Sequence, residues 1–388
     1  MRIVRTVLVN AAVAAVSILV GVVLCEVGAR LVLNPADYLS VTTYSDDILG
    51  IRVAPNSAGF DVWGFRNPGV PSAADVVTVG DSHTFGNQAR MEDAWPSVLG
   101  RDTGERVYNL GVGGYGPNQY DYLLTTRGVR LHPRLVLCGL YLGDDFENAF
   151  SITYGLDHWA SLRAERRGPV NANIWDDAEP PGTFKQVRNW LSRESLTYRL
   201  LVHGPALSGL KENVRFARAV RGEDPAMTAI DIPGAHIREA FRPLGIARRL
   251  DQQNPDIREG MRITFHLLKE MARVCSDNGC TFAVVIIPTK ETVFADYLER
   301  TPGLPLKDAV DAVIANERVA RQQLGQFLDE AKIPYVDTLP ALRRAAANGL
   351  YAQTTEDMHP GRNGYKVIGD AVAEFTRTIP RGAITQSR

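Results

Sequence analysis

The chain reads as an α/β protein, a doubly wound, five-stranded and mostly parallel sheet with a helical and loop insertion and an N-terminal transmembrane helix. Three observations predict this. Short β-branched runs alternate with amphipathic stretches from residue 75 onward. The alternation lapses between about residues 146 and 253 and then resumes. Residues 7–25 are apolar apart from Asn10 and Ser17. The implied division is a cytoplasmic tip and anchor over 1–30, a linker and lead-in over 31–74, an α/β domain over 75–378 and a tail over 379–388.

The first strand is expected over residues 76–79, a β-branched run that ends at Gly80. Gly80 permits a sharp turn, which would lift the Ser82 hydroxyl above the sheet edge. A helix near residues 95–99 leads to a second strand over 106–110. Pro117 suits the first turn of the next helix and Gly128 its end, ahead of a third strand over 135–142. No strong strand is expected from 146 to 253, where loop clusters and helical stretches near 187–202 suggest either a lid that shapes a substrate site or a surface decoration. Ile257, Met261, Thr264, Leu268, Met271 and Cys275 repeat at helical spacing until Gly279. A fourth strand follows over 282–287, then an amphipathic helix through Val319, Leu324, Phe327 and Leu328, a fifth strand over 333–336 and a closing helix over 365–375.

Net charge is −1, which excludes a strongly basic nucleic-acid binder. At 1.5 Å per residue the apolar run 7–25 is about long enough to cross a hydrocarbon core of ~30 Å. Arg2 and Arg5 precede it, while Glu26 and Arg30 nearly cancel after it, so the positive-inside bias puts the N-terminus in the cytoplasm and the rest outside. A cleaved signal peptide is the rival reading, although no clear small-x-small site follows the run. Cys138 falls in an apolar strand pattern and reads as core; Cys275 and Cys280 are close enough in sequence to allow a disulfide in an oxidising compartment. No Cys/His spacing suggests a metal site.

In open parallel sheets, ligand chemistry collects beyond the carboxyl ends of the strands. Those ends here carry Gly80-Asp81-Ser82, Gly111-Val112-Gly113-Gly114, Gly143-Asp144-Asp145 and, after the fifth strand, Glu356-Asp357-Met358-His359. A serine hydroxyl needs a base to take its proton, an acid to orient the base and fixed donors for the oxyanion. Ser82 would attack, His359 accept the proton and Asp357 orient the imidazole, with the Ser82 and Gly114 N–H groups as oxyanion donors. His83 adjoins Ser82 but is expected to point away from it. Lys290, after the fourth strand, would either contact an anionic sugar or pair with Glu291.

Gly80-Asp81-Ser82, Asn109-Leu110-Gly111-Val112-Gly113-Gly114 and Asp357-x-His359-Pro360 resemble, in order and spacing, the serine, glycine and histidine blocks of the SGNH (GDSL-like) hydrolases, over about residues 75–377. The resemblance implies a flavodoxin-like fold, an acyl-serine intermediate and no metal or organic cofactor. With Trp63-Gly64-Phe65-Arg66 before the serine and Pro288-Thr289-Lys290-Glu291 after the fourth strand, the chain looks like the membrane-anchored bacterial branch that includes polysaccharide O-acetyl-modifying proteins. That implies a single-pass protein of the bacterial cell membrane, an esterase acting on acyl esters of a carbohydrate. A transferase using the same triad and a non-catalytic carbohydrate-binding member are the alternatives. Two positions depart from the family pattern. Asp144 stands where the third oxyanion donor is usually an asparagine. The orienting acid is often three residues before the histidine, which makes Glu356 the alternate to Asp357.

Overall fold

A computed structural model of the chain describes residues 2–164, 183–203, 205–351 and 357–380. The N-terminal helix runs Arg2–Val32 without interruption. Its stretch Val4–Val32 is long and apolar enough to cross a membrane, and its most apolar part is exposed. Next come the antiparallel strands β1 (Thr43–Asp46) and β2 (Gly50–Val53). Leu49, Val53, Phe60 and Phe65 of this lead-in are buried in the domain core.

The central sheet contains β3 (Val76–Gly80), β4 (Val107–Asn109) and β5 (Leu135–Tyr141). After them the chain forms an antiparallel pair, β6 (Thr228–Ile232) and β7 (Ile237–Phe241), before returning to the sheet with β8 (Thr281–Ile287) and β9 (Tyr335–Asp337). The sheet order is β4-β3-β5-β8-β9 and every pairing is parallel. This is the doubly wound order, in which the connection reverses direction beside the first strand. β3 and β5 are buried along their whole length, which is why they read as β-branched and aliphatic runs without polar alternation.

The crossovers between parallel strands place helices on both faces. On one face Val77, Val79, Val136, Cys138, Leu140 and Val284 meet the helices Pro117–Thr126 and Pro255–Asp277. On the other, Val76, Leu135, Leu137, Val285 and Ile287 meet Trp95–Thr103 and Arg362–Thr376. Ile257, Met261, Leu268, Met271 and Cys275 all point into the first layer, as their spacing predicts.

Three details correct or complete the sequence reading. The insertion holds a β-hairpin where no strand is expected. Its strands are short and carry Asp231 and Arg238 in register, a cross-strand pair at 3.6 Å that hides their apolar side from a sequence pattern. Ile230, Ile237 and Phe241 supply that side and enter the core. The fifth strand begins at Tyr335, two residues late, because the preceding segment turns at Lys332 with φ 55°. Cys275 and Cys280 are buried free thiols, not a disulfide, while Cys138 lies in the core as expected.

Gly80 and Gly139 are neighbours in the β3–β5 register, and a methyl group built on either would overlap the Thr84 hydroxyl. Their bare backbones let the helix Ser82–Phe85 settle onto the sheet end. Gly80→Ala is therefore expected to destabilise the domain by about 1–3 kcal/mol, the range for forcing extra volume into a packed site, in denaturant unfolding of the detergent-solubilised chain.

Candidate active site

Ser82 opens the short helix that follows β3, so its N–H belongs to the first-turn donors that have no acceptor within the helix. Asp81 caps that helix, accepting from the His83 N–H at 2.8 Å. The histidine arrives from the far end of the chain, on the loop before the Arg362–Thr376 helix. His359 Nε2 lies 2.7 Å from Ser82 Oγ, and His359 Nδ1 lies 2.6 Å from Asp357 Oδ1. Asp357 also accepts from the His359 N–H at 2.8 Å and, through its other oxygen, from the Gln88 amide at 2.7 Å. Burial alone would raise the Asp357 carboxyl, but the hydrogen bond and charge of His359, with the Gln88 amide, hold it at about 2. A hydroxyl, an imidazole and an ionised carboxylate thus form one hydrogen-bonded line, the arrangement that removes a serine proton.

No family model and no curated protein matches this chain. Solved structures do. A lipolytic protein of the G-D-S-L family from Desulfitobacterium hafniense is 13% identical, with 77% of this chain and 98% of that one covered and a TM-score of 0.36. An acylhydrolase from Bacteroides fragilis is 12% identical over 78% of this chain and 86% of its own, with a TM-score of 0.33. A GDSL-like lipase from Bacteroides thetaiotaomicron is 12% identical over 78% and 88%, with a TM-score of 0.34. The chemistry of the site rests on the chain's own residues.

Gly113 of the glycine loop lies beside the serine. A side chain on Gly113 would come within 3.7 Å of Ser82 Cβ, and exposed Gly114 takes a left-handed φ of 80°. Asp144 and Asp145 separate in role. Asp145 is buried and accepts from Tyr120 OH at 2.6 Å and the Tyr141 N–H at 2.8 Å, so it braces the turn after β5. Asp144 Oδ1 is buried with no hydrogen-bond partner among the described residues. Burial first, and then the Asp81 charge, push its carboxyl up to about 7, against the opposing pull of His83 and Arg249. Glu356, the alternate acid, lies outside the described residues.

Lys290 is 1% exposed, so it is closed to a ligand arriving from solvent. Its ammonium lies 2.8 Å from Glu239 of β7 and faces the rings of Phe241 and Tyr351 at 5.4 and 5.1 Å, and its charge opposes the rise of the buried Glu291 carboxyl. It also donates to the Asp357 carbonyl at 3.5 Å. Lys290 is a brace between the insertion hairpin and the acid–histidine loop.

Sequence reasoning missed several supports. His83 does turn away from the serine hydroxyl, but into the site's floor. Its Nδ1 is 3.0 Å from Asp81 Oδ2, and its ring stacks on Tyr141 at 3.8 Å and faces the His359 ring at 4.8 Å. Burial opposes its charge, yet Asp81, Asp144 and the Met358 backbone carry its pKa upward. The Asp-Ser-His tripeptide was the available signal. Asn67 and Asn109 exchange two hydrogen bonds at 2.9 and 3.0 Å, and Asn109 then donates to the Thr84 carbonyl at 2.8 Å and accepts from Gly111 N–H at 2.8 Å. One buried asparagine therefore ties the serine helix to the glycine loop. Arg66 holds the next turn through the Gly86 and Ala89 carbonyls at 3.1 and 2.9 Å, its charge met by Asp37 at 2.6 Å.

Removing Lys290 alone leaves a buried carboxylate without its counter-ion. Lys290→Met is expected to cost about 3–5 kcal/mol, and adding Glu239→Gln to recover most of it, in a denaturant-unfolding double-mutant cycle. Equal losses in the single and double variants would contradict the pairing.

Proposed function

We propose that the chain is an extracytoplasmic serine esterase of the SGNH (GDSL-like) type, acting on acyl esters, O-acetyl groups above all, of a carbohydrate. The observation that carries it is the line Ser82 Oγ, His359 and Asp357 at 2.7 and 2.6 Å, drawn from opposite ends of the chain to one sheet end. Ser82 Oγ attacks the ester carbonyl as its proton passes to His359 Nε2, while Asp357 stabilises the imidazolium. The oxyanion is met by the Ser82 and Gly114 N–H groups. The intermediate collapses as His359 protonates the leaving alcohol, and water then hydrolyses the acyl-Ser82 ester by the same proton path. The carbohydrate ester as substrate is supported by the resemblance of Trp63-Gly64-Phe65-Arg66 and the histidine block to the polysaccharide-modifying branch. The outside placement is supported by Arg2 and Arg5 ahead of the apolar run 7–25.

With a small aryl acetate and the detergent-solubilised chain, Ser82→Ala and His359→Ala are expected to lower kcat/KM by at least about 10⁴-fold, and Asp357→Asn by roughly as much. Turnover by Ser82→Ala equal to wild type would sink the reading. Acetylated sugar accumulating in place of free acetate, when an oligosaccharide is present, would move the assignment to an acyltransferase.

Asp144 sets the alkaline side of the profile. It is neutral below and anionic above about 7, and an anion beside the oxyanion raises the barrier. As pH rises through about 7, kcat/KM is expected to fall. Asp144→Asn removes that fall, and an unchanged alkaline limb in this variant would place Asp144 outside the oxyanion site.

A further inference from the structure

Among the described residues, six of the twelve exposed large apolar side chains outside the N-terminal helix lie in two successive helices of the insertion. The helix Thr183–Glu194 exposes Phe184 at 80%, Val187 at 51% and Trp190 at 59%, and the helix Leu196–His203 exposes Leu201 at 69% and Val202 at 46%. On a 3.6-residue repeat Phe184, Val187 and Trp190 occupy one stripe, and Lys185, Arg188 and Arg193 fall on the remaining surface. A water-facing helix does not normally carry an aromatic stripe of this kind. A helix lying in a bilayer interface does, with Trp and Phe at the acyl boundary and basic residues toward anionic headgroups.

The position of these helices relative to the span identifies what covers the stripe. The Glu26 carboxylate accepts from Ser195 Oγ at 3.0 Å, Leu196 N–H at 3.1 Å and Thr197 N–H at 3.0 Å. One turn further along, Arg30 donates to the Glu194 carbonyl at 2.6 Å. The Ser40 N–H reaches the Ser192 carbonyl at 3.0 Å, and Arg199 reaches the Tyr38 carbonyl at 2.6 Å. The junction of the two insertion helices is therefore fastened to residues 26–30 of the N-terminal helix. The apolar run begins at Val7, and at 1.5 Å per residue Glu26, just past its end, lies about one hydrocarbon thickness, ~30 Å, along the helix. The junction thus sits at the depth where the span leaves the hydrocarbon.

We propose that the Thr183–Glu194 helix and the Leu201-Val202 end of the next helix form a second membrane contact, lying in the outer-leaflet interface of the bilayer that the apolar run 7–25 crosses. The proposal rests on reading that run as a span. A single helix leaves the attached domain free to swing. A second contact, already held beside the first, is intramolecular and adds attachment without a new partner. It fixes the orientation of the domain and the height at which the Ser82 rim meets a substrate presented near the membrane surface.

Trp190 is its own probe. The full chain is reconstituted into phosphatidylcholine–phosphatidylglycerol vesicles with and without acyl-brominated lipid, for wild type and Trp190→Phe. The wild-type minus Trp190→Phe fluorescence, which belongs to Trp190, is expected to fall by half or more in brominated lipid. Val187→Asp is expected to diminish that quenching. Retention in the vesicles after an alkaline wash tests the span separately. A retained chain with an unquenched Trp190 overturns the second contact alone, and a chain lost in the wash overturns the span as well. An unquenched Trp190 with concentration-dependent cross-linking of the chain assigns the stripe to a second copy and also overturns the proposal.

Discussion

The buried Asp81 carboxylate is the constraint on which the rim depends. It caps the helix that carries Ser82, lies 3.3 Å from the Ser82 hydroxyl and holds the His83 ring at 3.0 Å. Burial disfavours its charge, and the charge and hydrogen bonds of His83 more than offset that, so the carboxyl is held below its ordinary range. A carboxylate at this depth without a partner would cost several kcal/mol, so His83 is a structural necessity of the turn. Its ring, fixed in this way against Tyr141, becomes the surface beneath His359. The same negative charge acts across the rim on Asp144 and helps keep that carboxyl neutral up to about 7. One buried pair therefore positions Ser82 and supports the His359 ring, and its aspartate adds to the burial that raises the Asp144 carboxyl.

The supports beyond the motifs come from segments that read as accessories. Asn67 and Arg66 belong to the lead-in, yet they join the serine helix, the glycine loop and the turn after Phe85 into one hydrogen-bonded body. Glu239 and Phe241 belong to the insertion, yet with Lys290 they brace the loop that carries Asp357 and His359. The insertion is divided between two tasks. Its hairpin packs into the core, and its earlier helices fasten to the N-terminal helix at Glu26 and Arg30.

Much of the fold was legible because hydrophobic periodicity is a local property. The β-branched run at 76–79 and the aliphatic run at 135–141 are buried on both faces and show no polar alternation that could mislead. The β6–β7 hairpin was not legible, because each strand offers five residues with charge on the outward side, and only packing against Phe294 and the core distinguishes it from a loop. The geometry also chose between readings of Lys290. A lysine at a strand end is usually solvated, and the arrival of Glu239 from residues far away helps make a buried ammonium tolerable.

By itself the sequence determined the strands and helices of the central sheet, the apolar N-terminal helix and the residue types at Ser82, Gly114, Asp357 and His359, since each depends on residues within a few positions of one another. The tertiary structure decided which groups meet. It placed His359 277 residues from Ser82 in the chain yet 2.7 Å away in space, and it put Asp81 and Asp144 in one buried field that separates their protonation. Distances and burial of that kind arise only when distant segments share a low-dielectric site, because in the unfolded chain each of these groups is solvated by water and indifferent to the others.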